Sequence, residues 1–99
     1  MPQLMIITNS AHVNAEARNG LTTFLQQQQW EIWHWMEDLW LIANAPESLS
    51  IGKLRKDIHR ILGDNAAFFI VRATSAPITG YVSSDSVAWL TSNWKLLGD

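Results

Sequence analysis

Residues 30–43 constrain the fold of this chain more than any other segment. Trp30 to Ala43 is rich in aromatic and branched side chains and is broken by Glu37-Asp38, so it reads as two strands joined by a tight turn. With Glu37 and Asp38 at the tip, Trp35 is expected opposite Trp40, and Trp33 opposite Ile42. These four share one side of the hairpin, while Ile32, His34, Met36, Leu39, Leu41 and Ala43 share the other. A hairpin that is apolar on both sides cannot float on a surface. Something must cover each side.

The remaining segments supply candidate covers. Leu4 to Thr8 is a continuous apolar run suited to a strand buried on both faces. Asn14 can cap a helix that follows, whose Ala17, Leu21, Phe24 and Leu25 recur on one face through Gln28. Ser50 can cap a second helix that runs to about Gly63, with Ile51, Leu54, Ile58, Ile61 and Leu62 inward and the glycine as its stop. Ala66 to Val71 reads as a fourth strand and Ser75 to Gly80 as loop. Ser83 or Ser84 caps a short third helix that presents Val87, Leu90 and Trp94.

Strand, helix, strand, strand, helix, strand and a short helix describe one α+β domain over residues 1–99. The order is the ferredoxin-like βαββαβ arrangement: a four-stranded antiparallel sheet with two long helices on one face.

Composition narrows the function classes. The 99 residues are 47% hydrophobic and contain no cysteine, which excludes a disulfide scaffold, thiol catalysis and cysteine-based zinc sites. Seven basic against nine acidic residues give a net charge of -2, without the basic surplus of a typical nucleic-acid binder. No apolar stretch reaches the roughly 18 residues that would span a bilayer, and the N-terminal run is too short for a signal peptide's core. A cytoplasmic protein without membrane contact is expected.

Several motifs resemble a known family. Trp33-His34, the turn at Glu37-Asp38 and Trp40-Leu41-Ile42 resemble a pattern found in small SinR-family proteins. Residues 64–71 (Asp64-Asn65-Ala66-Ala67-Phe68-Phe69-Ile70-Val71) and Val87-Ala88-Trp89-Leu90 resemble that family's later strand and closing helix. The likeness runs from about Leu4 to Trp94. The family is itself similar to CRISPR-associated protein two and virulence-associated protein D. The resemblance implies a ferredoxin-like homodimer, with metal-dependent nuclease activity claimed for some relatives. Their first strand ends in an aspartate near the dimer axis, and that position falls here on Asn9. An amide lacks the negative charge that a hard divalent cation requires.

Few residues otherwise point to chemistry. His12, His34 and His59 lie on separate elements without metal-ligand spacing, so no metal or other cofactor is expected. His34 is a weak catalytic candidate; a hydrogen-bonded core histidine is the favoured reading. Ser83, Ser84, Asp85 and Ser86 lack the glycine-flanked elbow of a serine hydrolase and suit a helix cap. The second helix carries Lys53, Arg55, Lys56 and Arg60, a candidate phosphate-contacting face with no aromatic interleaved, read otherwise as a solvated face paired through Asp57.

The sequence-based expectation is a non-catalytic interaction protein that forms a homodimer, with nucleic acid as a candidate partner and no small-molecule ligand. A metal-dependent endoribonuclease and a ligand-sensing regulatory module are the alternatives. The expected dimer interface is Trp33, Trp35, Trp40 and Ile42, with the helices on the more aliphatic side and the third helix hiding only part of the tryptophan face.

Overall fold

The computed structural model describes residues 3–8, 12–73 and 77–96. In chain order they form β1 (Leu4–Thr8), α1 (Ala15–Gln27), β2 (Glu31–Met36), β3 (Leu39–Ala43), α2 (Ile51–Leu62), β4 (Phe68–Arg72), β5 (Pro77–Ile78), α3 (Ser84–Asn93) and β6 (Lys95–Leu96). The first four strands make an antiparallel sheet in the order β2-β3-β1-β4. The architecture is α+β, a four-stranded antiparallel sheet with three helices. Because β3 separates β1 from β2, the connection through α1 crosses over the sheet; α2 does the same between β3 and β4.

Each helix begins where a side chain can take up an orphan backbone N–H. Asn14 Oδ1 accepts from the Ala17 N–H at 2.8 Å, and Ser50 Oγ accepts from the Lys53 N–H at 3.2 Å. Ser83 Oγ accepts from the Ser86 N–H at 3.3 Å. Gly63 ends α2 at φ 94°, a backbone region that disfavours side chains. Leu21 and Leu25 of α1 and Leu54, Ile58 and Leu62 of α2 are buried against Leu4, Ile6, Trp40 and Ile42. Each such Leu or Ile contributes about 1.5–3 kcal/mol of burial. The inward faces of both long helices are those expected from their spacing.

The hairpin departs from its expected register. Met36 faces Leu39 across the tip, but further along Trp33 faces Leu41 and Ile32 faces Ile42, with an irregularity between Trp33 and Met36. There His34 and Trp35 together span the stretch opposite Trp40. A bulge leaves the pairing at the tip unchanged and moves everything beyond it to the other face. The expected set therefore divides. Trp40 and Ile42 lie fully buried under α1 and α2, Trp33 is buried in a second cluster with Leu41, Leu90 and Trp94, and Trp35 is 68% exposed. The long helices cover neither of the two expected sides as a set; Ile32, Trp40 and Ile42 all belong to their core.

The second cluster lies on the opposite face of the sheet, under α3 and residues 78–82. Gln3 helps to hold α3 there, donating through Nε2 to the Asn93 carbonyl at 2.6 Å. Two further differences come from this region. Residues expected as loop include β5, which pairs in parallel with β6. Val87 is exposed, and Ser86 takes the inward position one turn before Leu90 and two before Trp94. The fourth strand also begins at Phe68 rather than Ala66.

Candidate interaction surfaces

The arrangement of α3 leaves part of the sheet bare. It packs on β2, whereas Ile7, Phe69 and Val71, on the β1–β4 side of the same face, stay exposed. Ile7 pairs directly with Phe69, and Met5 with Val71, so these four side chains form a cross-strand cluster. Phe69 is 72% exposed, Val71 44% and Ile7 39%. The first strand is thus buried on one face only at its far end, where burial on both had been expected. A shallow cavity of about 420 Å³ continues this surface through Met36 and Leu39 to the hairpin tip at Glu37 and Asp38. Beyond it, β4 is an edge strand whose only charged residue is Arg72.

The tip itself is braced from α1. Arg18 sends its guanidinium toward both turn carboxylates, with Nε 3.6 Å from Asp38 and Nη2 3.9 Å from Glu37. Thr8 donates through Oγ1 to Asp38 Oδ1 at 3.3 Å. The residue expected at the strand-end catalytic position, Asn9, lies outside the described residues.

His34 sits half-buried against the first core. Its ring stacks on Trp40 with centroids 4.2 Å apart and planes 6° from parallel. Its Nδ1 lies 3.0 Å from the Leu39 carbonyl, which can only accept, so Nδ1–H is the donor. Trp40 in turn donates through Nε1 to Thr22 Oγ1 at 3.0 Å, fastening the sheet to α1. The stack and both bonds use His34 and Trp40 as structural elements. His12 and His59 are exposed, and His59 Nε2 pairs with Asp64 at 3.0 Å. Among the described residues no three His, Asp or Glu side chains gather as a metal site.

The basic residues of α2 occupy its exposed surface. Arg60 pairs with Asp57, as expected of a solvated face. Lys53, Arg55 and Lys56 make no ion pair among the described residues. Arg55 and His59 share a cavity of about 330 Å³ with Phe68 and Phe69 at the β4 edge. Sequence spacing placed no aromatic beside these cations; the fold brings Phe68 and Phe69 to the cavity that Arg55 lines.

No helix among the described residues is long and apolar enough to cross a membrane. No protein-family model matches this sequence, and comparison with curated proteins finds no match. The Ile7–Phe69–Val71 strip was not expected as a surface from sequence; of the expected interface residues, Trp35 alone stays exposed. The alternation in Phe68-Phe69-Ile70-Val71 was the available signal for the strip, since only one face of an edge strand meets the helices.

Proposed function

We propose that this protein is a small cytoplasmic interaction module of ferredoxin-like design, related to the SinR-like and CRISPR-associated-protein-two-like group. It acts as a homodimer through the bare half of its sheet and has no catalytic centre. The observation that carries this reading is the exposed cross-strand cluster of Ile7, Phe69 and Val71. Large aromatic side chains offer roughly 150–250 Å² each, so the strip with its Met neighbours exposes on the order of 300 Å² of apolar surface. At about 25 cal/mol per Å², covering it contributes roughly 7 kcal/mol for each copy. Two copies together offset an association cost of about 4–15 kcal/mol. A stable interface covers about 800 Å² per partner, so the strip forms its centre and the hairpin tip and β4 edge form its rim. A second copy supplies the same strip across a two-fold axis, which is the self-complementarity an isologous dimer requires.

Light scattering on two single variants tests this. Phe69→Glu is expected to reduce the mass from twice 11.2 kDa to 11.2 kDa. Trp35→Glu, at the other end of the face, is expected to leave the dimer intact. Loss of the dimer in Trp35→Glu alone contradicts the proposed interface.

A second reading rests on Lys53, Arg55 and Lys56, three cations on the exposed face of α2 that make no ion pair among the described residues. They are suited to contact a phosphate backbone, and the contact would weaken with salt as counterions are released.

A further inference from the structure

We propose that the cleft between β2 and the start of α3 binds a small, uncharged, planar molecule with an aromatic body and one hydrogen-bond acceptor. The sequence led to no such expectation, because its parts are brought together by the hairpin bulge and the return of α3. The cleft has a volume of about 250 Å³. Trp33 and Ser86, 3% and 1% exposed, are its buried members, and Met36 and Val82 line it beside them. Trp35 and Tyr81 also line it and are largely open to solvent. A second apolar cavity of about 140 Å³ shares Trp33, Met36, Tyr81 and Val82 and reaches Leu90.

One donor in this wall points to the ligand's chemistry. Trp33 Nε1–H is buried and has no acceptor among the described residues. The Ser83 and Ser86 hydroxyls are bonded to each other at 3.0 Å, which leaves the indole N–H as the unmatched donor. Buried donors are almost always paired, so an unmatched indole N–H on a residue that lines the cleft calls for an acceptor from outside the chain. A carbonyl oxygen can serve it. No charged side chain lines either cavity, which disfavours an ion that would lose its hydration without a counter-charge. Trp35 and Tyr81 offer ring faces for a flat body, the usual pairing of apolar walls with few polar anchors.

The test uses 1-indanone and indane, which share a skeleton and differ by the carbonyl. Titrations are followed through the assigned indole N–H resonances of the intact protein. The 1-indanone is expected to move the Trp33 resonance saturably and to bind at least tenfold more tightly than indane. Trp35→Ala, a change at an exposed position, is expected to weaken 1-indanone at least tenfold. Equal binding of the two probes, or a Trp33 resonance that stays fixed to the solubility limit, overturns the proposal. So does a response confined to tryptophans outside the cleft. The site lies apart from the Ile7–Phe69–Val71 strip, so its failure leaves the homodimer reading untouched.

Discussion

Replacing Trp40 and Trp35 separately by alanine probes the bulge that organises this molecule. In an unbroken hairpin the two rings would face each other on one side and cost similar amounts to remove. In the structure Trp40 is 0% exposed and Trp35 is 68% exposed. Truncating a buried tryptophan costs roughly 3–5 kcal/mol through lost transfer energy and the cavity left behind. Loss of the His34 stack adds about 0.5–1.5 kcal/mol. Thr22 keeps a partner after the change, because its hydroxyl already donates to the Arg18 carbonyl, so no orphan penalty follows. The total for Trp40→Ala is about 4–6 kcal/mol, a large part of the roughly 5–15 kcal/mol that holds a domain of this size together. Trp35 has about a third of its surface covered, on the order of 70 Å², which sets its cost at about 2 kcal/mol or less. Urea denaturation followed by far-ultraviolet circular dichroism, at one protein concentration throughout, measures both. If Trp40→Ala does not fold, Trp40→Phe is expected to lose about 1–2 kcal/mol, chiefly the indole hydrogen bond and part of the packing. Equal losses at positions 40 and 35 would refute the shifted register.

Two further outcomes are expected. Thr22→Val leaves the buried Trp40 Nε1–H without its acceptor and should cost about 1–3 kcal/mol; in a Trp40→Phe background most of that cost should vanish, a coupling of about 1 kcal/mol in a double-mutant cycle. If the protein binds duplex DNA or single-stranded RNA, Lys53→Gln, Arg55→Gln and Lys56→Gln together should flatten the log-affinity against log-salt slope by about 2–3, whereas an unchanged slope in a filter-binding titration places the contact elsewhere.

Much of the architecture was legible because helices announce themselves twice. The inward spacing of Leu21 and Leu25 and of Leu54, Ile58 and Leu62 marks the faces, and Asn14, Ser50 and Ser83 mark the starts. Strand periodicity carries less. Alternation assigns residues to two sides but does not mark where an extra residue slips in, and the bulge at His34 and Trp35 exchanges the faces beyond it. The surface of interest moved accordingly from Trp33, Trp40 and Ile42, which the monomer buries, to Ile7, Phe69 and Val71, which it does not. The pairing of β5 with β6 had no local signature, since two residues per strand are too few to show a period. The basic residues of α2 were visible in sequence; the approach of Arg55 to Phe68 and Phe69 at the β4 edge depends on tertiary structure.

An isotope-filtered nuclear Overhauser spectrum, recorded on an equal mixture of carbon-13-labelled and unlabelled chains, observes the proposed interface itself. The account predicts cross-peaks between the Ile7 and Val71 methyl groups of one copy and the Phe69 ring of the other, in a species tumbling as a dimer. A spectrum without intermolecular peaks, from a species tumbling at 11.2 kDa, would contradict it.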